Sequence, residues 1–119
     1  MRPEVTARLK QLETTLTTIE KVMDPEALAA RIRELEAQAG DPSLWDDPVH
    51  AQKVTSELSA AQAKVRKLEA LRGRLEDMPV MYELAEEEGD SSLADEELDS
   101  LESAIESLEV TTMLSGEYD

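Results

Sequence analysis

Apolar residues recur near the start of the chain at Val5, Leu9, Leu12, Leu16, Ile19 and Met23. Side chains three and four residues apart share one side of a helix, so these steps of 4, 3, 4, 3 and 4 predict a single amphipathic stripe. Pro3 suits a first helical turn, and the pattern stops at Asp24-Pro25. That pair reads as the N-cap and first position of a second helix, with a stripe through Leu28, Ile32, Leu35 and Ala39 and a C-cap at Gly40. A third stripe runs through Val54, Leu58, Ala61, Val65, Leu68, Leu71, Leu75 and Met78. Two consecutive steps of three interrupt its heptad, so the stripe drifts around the helix instead of tracking one partner.

Pro79 lacks a backbone donor and disfavours helical geometry at Met78, which predicts a break or sharp kink. A short segment through Val80, Met81 and Leu84 is expected next, ending at Gly89-Asp90. Ser91 or Ser92 then caps a last helix, and the Ser92-to-Asp95 spacing resembles a capping box. Its stripe is Ala94, Leu98, Leu101, Ile105 and Leu108, and Ser115-Gly116 ends it. The chain is therefore expected to be all-α, an elongated antiparallel helical bundle with coiled-coil-like seams. It reads as one domain over residues 1–119, with helices at roughly 3–22, 25–39, 48–77, 80–88 and 92–113.

One stretch breaks the helical pattern: Asp41-Pro42-Ser43-Leu44-Trp45-Asp46-Asp47-Pro48, which holds the only tryptophan. Either Asp46 or Asp47 can cap the third helix, with Pro48 at its first position. Trp45 admits two readings. As a structural residue its ring plugs the corner between the second and third helices, the reading preferred on sequence alone. As a functional residue, an aromatic flanked by acids anchors a partner.

Charge changes the picture of what the chain can bind. The net charge is −16, and all twelve Lys and Arg lie at or before Arg74. Residues 79–119 carry no positive and fourteen negative charges. Nucleic-acid affinity comes largely from Lys and Arg neutralising phosphates, so direct contact by residues 79–119 with RNA or DNA is argued against. A basic protein surface complements this segment better, and a solvated acidic face is the simpler alternative. Lys64, Arg66, Lys67, Arg72 and Arg74 are expected to lie near the acidic final helix.

Composition offers little for catalysis. With no cysteine there is neither disulfide nor thiolate metal site. His50 is the only histidine, and a capping or solvent-facing role is expected for it. Consecutive helical carboxylates such as Glu86-Glu87-Glu88 point in different directions, and no glycines are paired into a phosphate cradle. No catalytic, cofactor-binding or metal-binding residues are assigned; the chain reads as a non-enzyme. Its first residues lack the apolar core of a signal peptide, and its apolar runs are too short to span a membrane. A cytoplasmic and monomeric chain is expected.

Two runs carry a family resemblance. Leu44-Trp45-Asp46-Asp47-Pro48, followed by Ala51-Gln52-Lys53 and Glu57-Leu58, and the final Leu114-Ser115-Gly116-Glu117-Tyr118-Asp119 resemble the N-terminal helical domain of bacterial release factor 2 proteins. Within the wider family, release factor 1 ranks second because it lacks the Trp-Asp-Asp corner. The structural signature is thus Trp45, Asp46, Asp47 and Pro48. The resemblance implies that these residues are the N-terminal third of a longer translation termination factor. Such factors enter the ribosomal A site, read UAA and UGA through Ser-Pro-Phe, and trigger peptide release through Gly-Gly-Gln. Neither tripeptide occurs here, since the chain has no Phe and no Gly-Gly. The implied role is positioning the factor near the stalk base of the large subunit, facing basic ribosomal proteins. A self-contained acidic adaptor or chaperone-like scaffold is the alternative from another class.

Overall fold

The computed structural model of the chain describes residues 1–114, and over these it is helical throughout apart from short connections. The helices are α1 (Pro3–Met23), α2 (Pro25–Ala39), α3 (Pro48–Glu88) and α4 (Ser92–Leu114), with a 3-10 turn at Pro42–Asp46. No described helix is long and apolar enough to cross a membrane. Contacts divide the chain into two compact units, one of residues 24–68 and one of residues 1–23 with 69–119.

In the unit of residues 24–68, α2 runs antiparallel to the first half of α3. Leu35, Leu44, Ala51 and Val54 are buried together, with Ala39 and Leu58 packed against them. Of the expected α2 stripe only Leu35 is fully buried; Leu28, Ile32 and Ala39 are half-buried. Arg31 closes the edge of this pair, its Nε and Nη2 donating to the two carboxylate oxygens of Glu57 at 2.6 and 2.8 Å. That two-pronged bond holds the Glu57 carboxyl below the usual range.

The other unit joins α1, the second half of α3 and α4. Arg2 pairs with Asp95 and Arg8 with Asp99 and Glu102, so α1 and α4 run in the same direction. Arg72 meets Glu13 and Glu20 on α1 while Glu86 meets the N-terminus, and Arg74 meets Glu97 while Tyr82 meets Asp95 on α4, so α3 runs opposite to both. The buried stripe Val5, Leu12, Leu16 and Ile19 of α1 faces a core completed by Leu71, Leu75 and Met78 of α3 and by Leu98, Leu101, Ile105 and Leu108 of α4.

The expected break at Pro79, with a separate helix after it, is not present: α3 continues from Pro48 to Glu88 as one helix. The physical reason is the stripe on its buried side. Leu71, Leu75, Met78, Tyr82 and Ala85 are all buried and step by 4, 3, 4 and 3, so the helix gains core contacts only if it keeps winding past the proline. Pro79 itself is exposed. The carbonyl left without a helical donor is that of Leu75, one turn back. A proline inside a helix costs about 3 kcal/mol, and burying two further side chains, one a tyrosine, offsets a cost of that size.

The caps divide between expectation and correction. Asp24 is the N-cap of α2, accepting from the Ala27 N–H at 3.1 Å. It does so in the left-handed region (φ 52°), which Asp tolerates better than most residues. At α4 the capping residue is Ser91 rather than Ser92: the Ser91 carbonyl accepts from the Asp95 N–H at 2.8 Å, and the Ser91 hydroxyl donates to Asp95 Oδ2 at 2.9 Å. No Ser92–Asp95 capping box forms, because Ser92 is already helical and its N–H donates to Asp90. The expected stop at Ser115-Gly116 lies outside the described residues.

Candidate interaction surface

The corner between α2 and α3 is built by its aspartates. Gly40 ends α2 with a right-handed backbone, its N–H donating to the Glu36 carbonyl at 3.0 Å. Asp41 then accepts from both the N–H and the hydroxyl of Ser43, each at 2.9 Å, which holds its carboxyl below the ordinary carboxylate value. This bond and Pro42 start the 3-10 turn. Asp47 closes that turn by donating its N–H to the Leu44 carbonyl, and its side chain accepts from the His50 N–H at 3.2 Å. Asp47 is therefore the cap of α3, and Pro48 its first residue. His50 is exposed in the first turn.

Trp45 does not plug this corner. Its side chain is 62% exposed, whereas Leu44 is 7% exposed and packs into the cluster with Leu35 and Ala51. A 3-10 turn of five residues points neighbouring side chains in different directions, so only one of Leu44 and Trp45 can face the core. The smaller side chain fills it. Asp46 is exposed, and its side chain forms no hydrogen bond or ion pair among the described residues. Val49, 68% exposed, extends the apolar surface of the corner.

A second surface is acidic. Five carboxylates of residues 79–114 have cationic partners: Glu86 with the N-terminal ammonium, Asp95 with Arg2, Glu97 with Arg74, and Asp99 and Glu102 with Arg8. Glu83, Glu87, Glu88, Asp90, Glu96, Glu106 and Glu109 form no ion pair among the described residues. Of the α3 cations expected near the last helix, Arg74 pairs with Glu97 there. Arg72 turns to α1, where Glu20 accepts from its Nε and Nη2 at 3.2 and 2.6 Å. Lys64, Arg66 and Lys67 are exposed in the other unit and form no ion pair among the described residues. Two further cations that hold α4 are Arg2, paired with Asp95, and Arg8, paired with Asp99 and Glu102, neither of which stood out in the sequence. Among the described residues no group of three His, Cys, Asp or Glu is placed to hold a metal ion.

One polar contact inside the helical core was hidden from sequence reasoning. The Tyr82 hydroxyl donates to Asp95 Oδ1 at 2.7 Å, and burial followed by this bond pushes the phenol up to about 12. The same bond, followed by that from Ser91, holds Asp95 below its ordinary value. The signal available was the spacing of Tyr82 four residues beyond Met78, which the expected break at Pro79 obscured.

The described residues form an all-α module with an aspartate-capped corner and an acidic last helix, and comparison with known proteins gives its family. The chain belongs to the PCRF domain family, whose profile matches residues 28–119. It is similar over its whole length to proteins named peptide chain release factor 2. It is 75% identical to that of Corynebacterium aurimucosum, 66% to that of Corynebacterium glutamicum strain R and 53% to that of Mycobacterium avium. The chain covers 33%, 33% and 34% of those proteins, so it spans about a third of the length of the curated relatives it matches.

Proposed function

We propose that this chain is the N-terminal domain of a class I peptide chain release factor that directs termination at UAA and UGA. The domain positions the factor in the ribosomal A site and takes no direct part in codon reading or peptidyl-tRNA hydrolysis. The observation that carries this reading is the 75% identity, across the whole chain, with a protein named peptide chain release factor 2. The absence of Phe and of Gly-Gly supports the division of labour, since the Ser-Pro-Phe and Gly-Gly-Gln tripeptides of the family must then lie elsewhere in the protein.

The surface chemistry fits such a role. Unpaired carboxylates on α3 and α4 repel phosphate backbones and suit basic ribosomal proteins, such as those near the stalk base of the large subunit. The domain acts in the cytoplasm, as a monomer and without a cofactor. Reading the source gene beyond Asp119 tests the proposal. Ser-Pro-Phe and Gly-Gly-Gln are expected in frame downstream, and a stop codon directly after Asp119 would defeat it.

A further inference from the structure

We infer that the corner at residues 41–49 is a docking point for a basic protein segment, which lays an arginine or lysine over the Trp45 indole and meets the Asp46 carboxylate with its charge. Most of the indole is left outside the core. Leu44 closes the corner, and Trp45 remains 62% exposed although an indole is among the side chains that gain most from burial. Pro42, Pro48 and Val49, near it in sequence, are also exposed, which leaves apolar surface at the corner uncovered among the described residues. An exposed aromatic of this kind is the residue type that most often anchors an interface.

Charge selects the occupant. Asp41 and Asp47 are bound to backbone N–H groups, while Asp46, adjacent to the ring in sequence, has no partner among the described residues. Together with Gln38, Ser43 and His50 the three aspartates line an open hollow of about 290 Å³. From Glu34 to Gln52 the sequence contains no Lys or Arg, so no nearby residue in sequence supplies a competing cation. An aromatic face attracts a guanidinium or ammonium, and the free carboxylate of the next residue in sequence can meet the same charged segment with a hydrogen bond. A nucleobase also stacks on indole, but its phosphates would then lie against three carboxylates, the reverse of what nucleic-acid sites provide.

The inference rests on the ribosomal reading above for where the basic segment is found. The test uses the full-length protein and purified ribosomes with a stop codon in the A site. A photo-crosslinking benzoylphenylalanine replaces Trp45, and affinity is measured in parallel for Trp45→Ala and Asp46→Asn, with Leu93→Ala, exposed in the other unit, as control. Circular dichroism checks that each variant is folded. A crosslink to a basic ribosomal protein is expected, with roughly tenfold weaker binding for Trp45→Ala, a severalfold loss for Asp46→Asn and no loss for Leu93→Ala. A crosslink to ribosomal RNA, or unchanged affinity for Trp45→Ala, overturns the inference and leaves the ribosomal reading standing. Failure of the unsubstituted protein to bind ribosomes overturns both.

Discussion

The buried hydroxyl of Tyr82 donates to Asp95 Oδ1 at 2.7 Å, fastening the part of α3 beyond Pro79 to the first turn of α4. Asp95 also accepts from Arg2 and Ser91, so one carboxylate gathers groups from the residue that precedes α1, from α3 and from the cap of its own helix. Tyr82→Phe removes one bond to a charged acceptor while keeping the ring. The expected loss is about 1–2 kcal/mol in urea unfolding, because Asp95 retains its other donors. No loss would show that the bond carries no net stability.

The same contact sets an alkaline limit. Burial and Asp95 raise the folded-state value of Tyr82 to about 12 from the ordinary 10.0. The group is neutral in both states below pH 10, so its contribution is fully present there. It is lost as pH rises through the interval to about 12, where the unfolded state releases the proton first. Thermal denaturation from pH 9 to about 12 should therefore show a steeper fall for the natural sequence than for Tyr82→Phe. Parallel curves would count against the raised value.

Pro79 is tolerated rather than required. Its replacement by Ala restores a helical donor to the Leu75 carbonyl on an exposed face. Stability should rise by about 1–3 kcal/mol, the upper end being the intrinsic helical difference and the lower end allowing for the stiffer unfolded chain that proline gives. A fall in melting temperature would mean that the proline shapes α3 in a way the core depends on.

The two neighbours at the corner should behave oppositely. Leu44→Ala empties a position packed on Leu35 and Ala51 and is expected to cost about 2–3 kcal/mol. Trp45→Ala removes a largely exposed ring and should change stability by no more than about 0.5 kcal/mol. Chemical denaturation of both variants checks this, and a large loss from Trp45→Ala would restore the ring to the core.

Asp24 joins a cap to a left-handed backbone. Asn can serve both needs and Ala neither, so Asp24→Asn should be near neutral and Asp24→Ala should cost about 1–2 kcal/mol. Equal effects in thermal melts would show that the conformation is not demanding.

The helices were legible because their stripes are regular: every apolar residue of the expected α4 stripe, Ala94 through Leu108, is buried. The aspartate-proline starts at Asp24 and Asp47 were readable for the same local reason. Pro79 misled because proline propensity is a local cost, and the stripe through Tyr82 and Ala85, whose burial outweighs it, is set by tertiary packing. Trp45 misled because size and apolarity suggest burial, while the geometry of a 3-10 turn decides which of two adjacent residues faces inward. The Arg8 clamp on Asp99 and Glu102 could not be read at all, since it depends on α1 lying parallel to a helix about ninety residues away in sequence. Family membership, by contrast, was carried by the short Trp-Asp-Asp-Pro run and the final residues rather than by any stripe.

Peptide release from ribosomes programmed with UAA, UGA or UAG tests the central claim most directly, comparing residues 1–119 alone with the full-length protein. The full-length protein is expected to release peptide at UAA and UGA and not at UAG, and residues 1–119 alone to release none. Release by the isolated residues, or none by the full-length protein at either codon, would contradict the account.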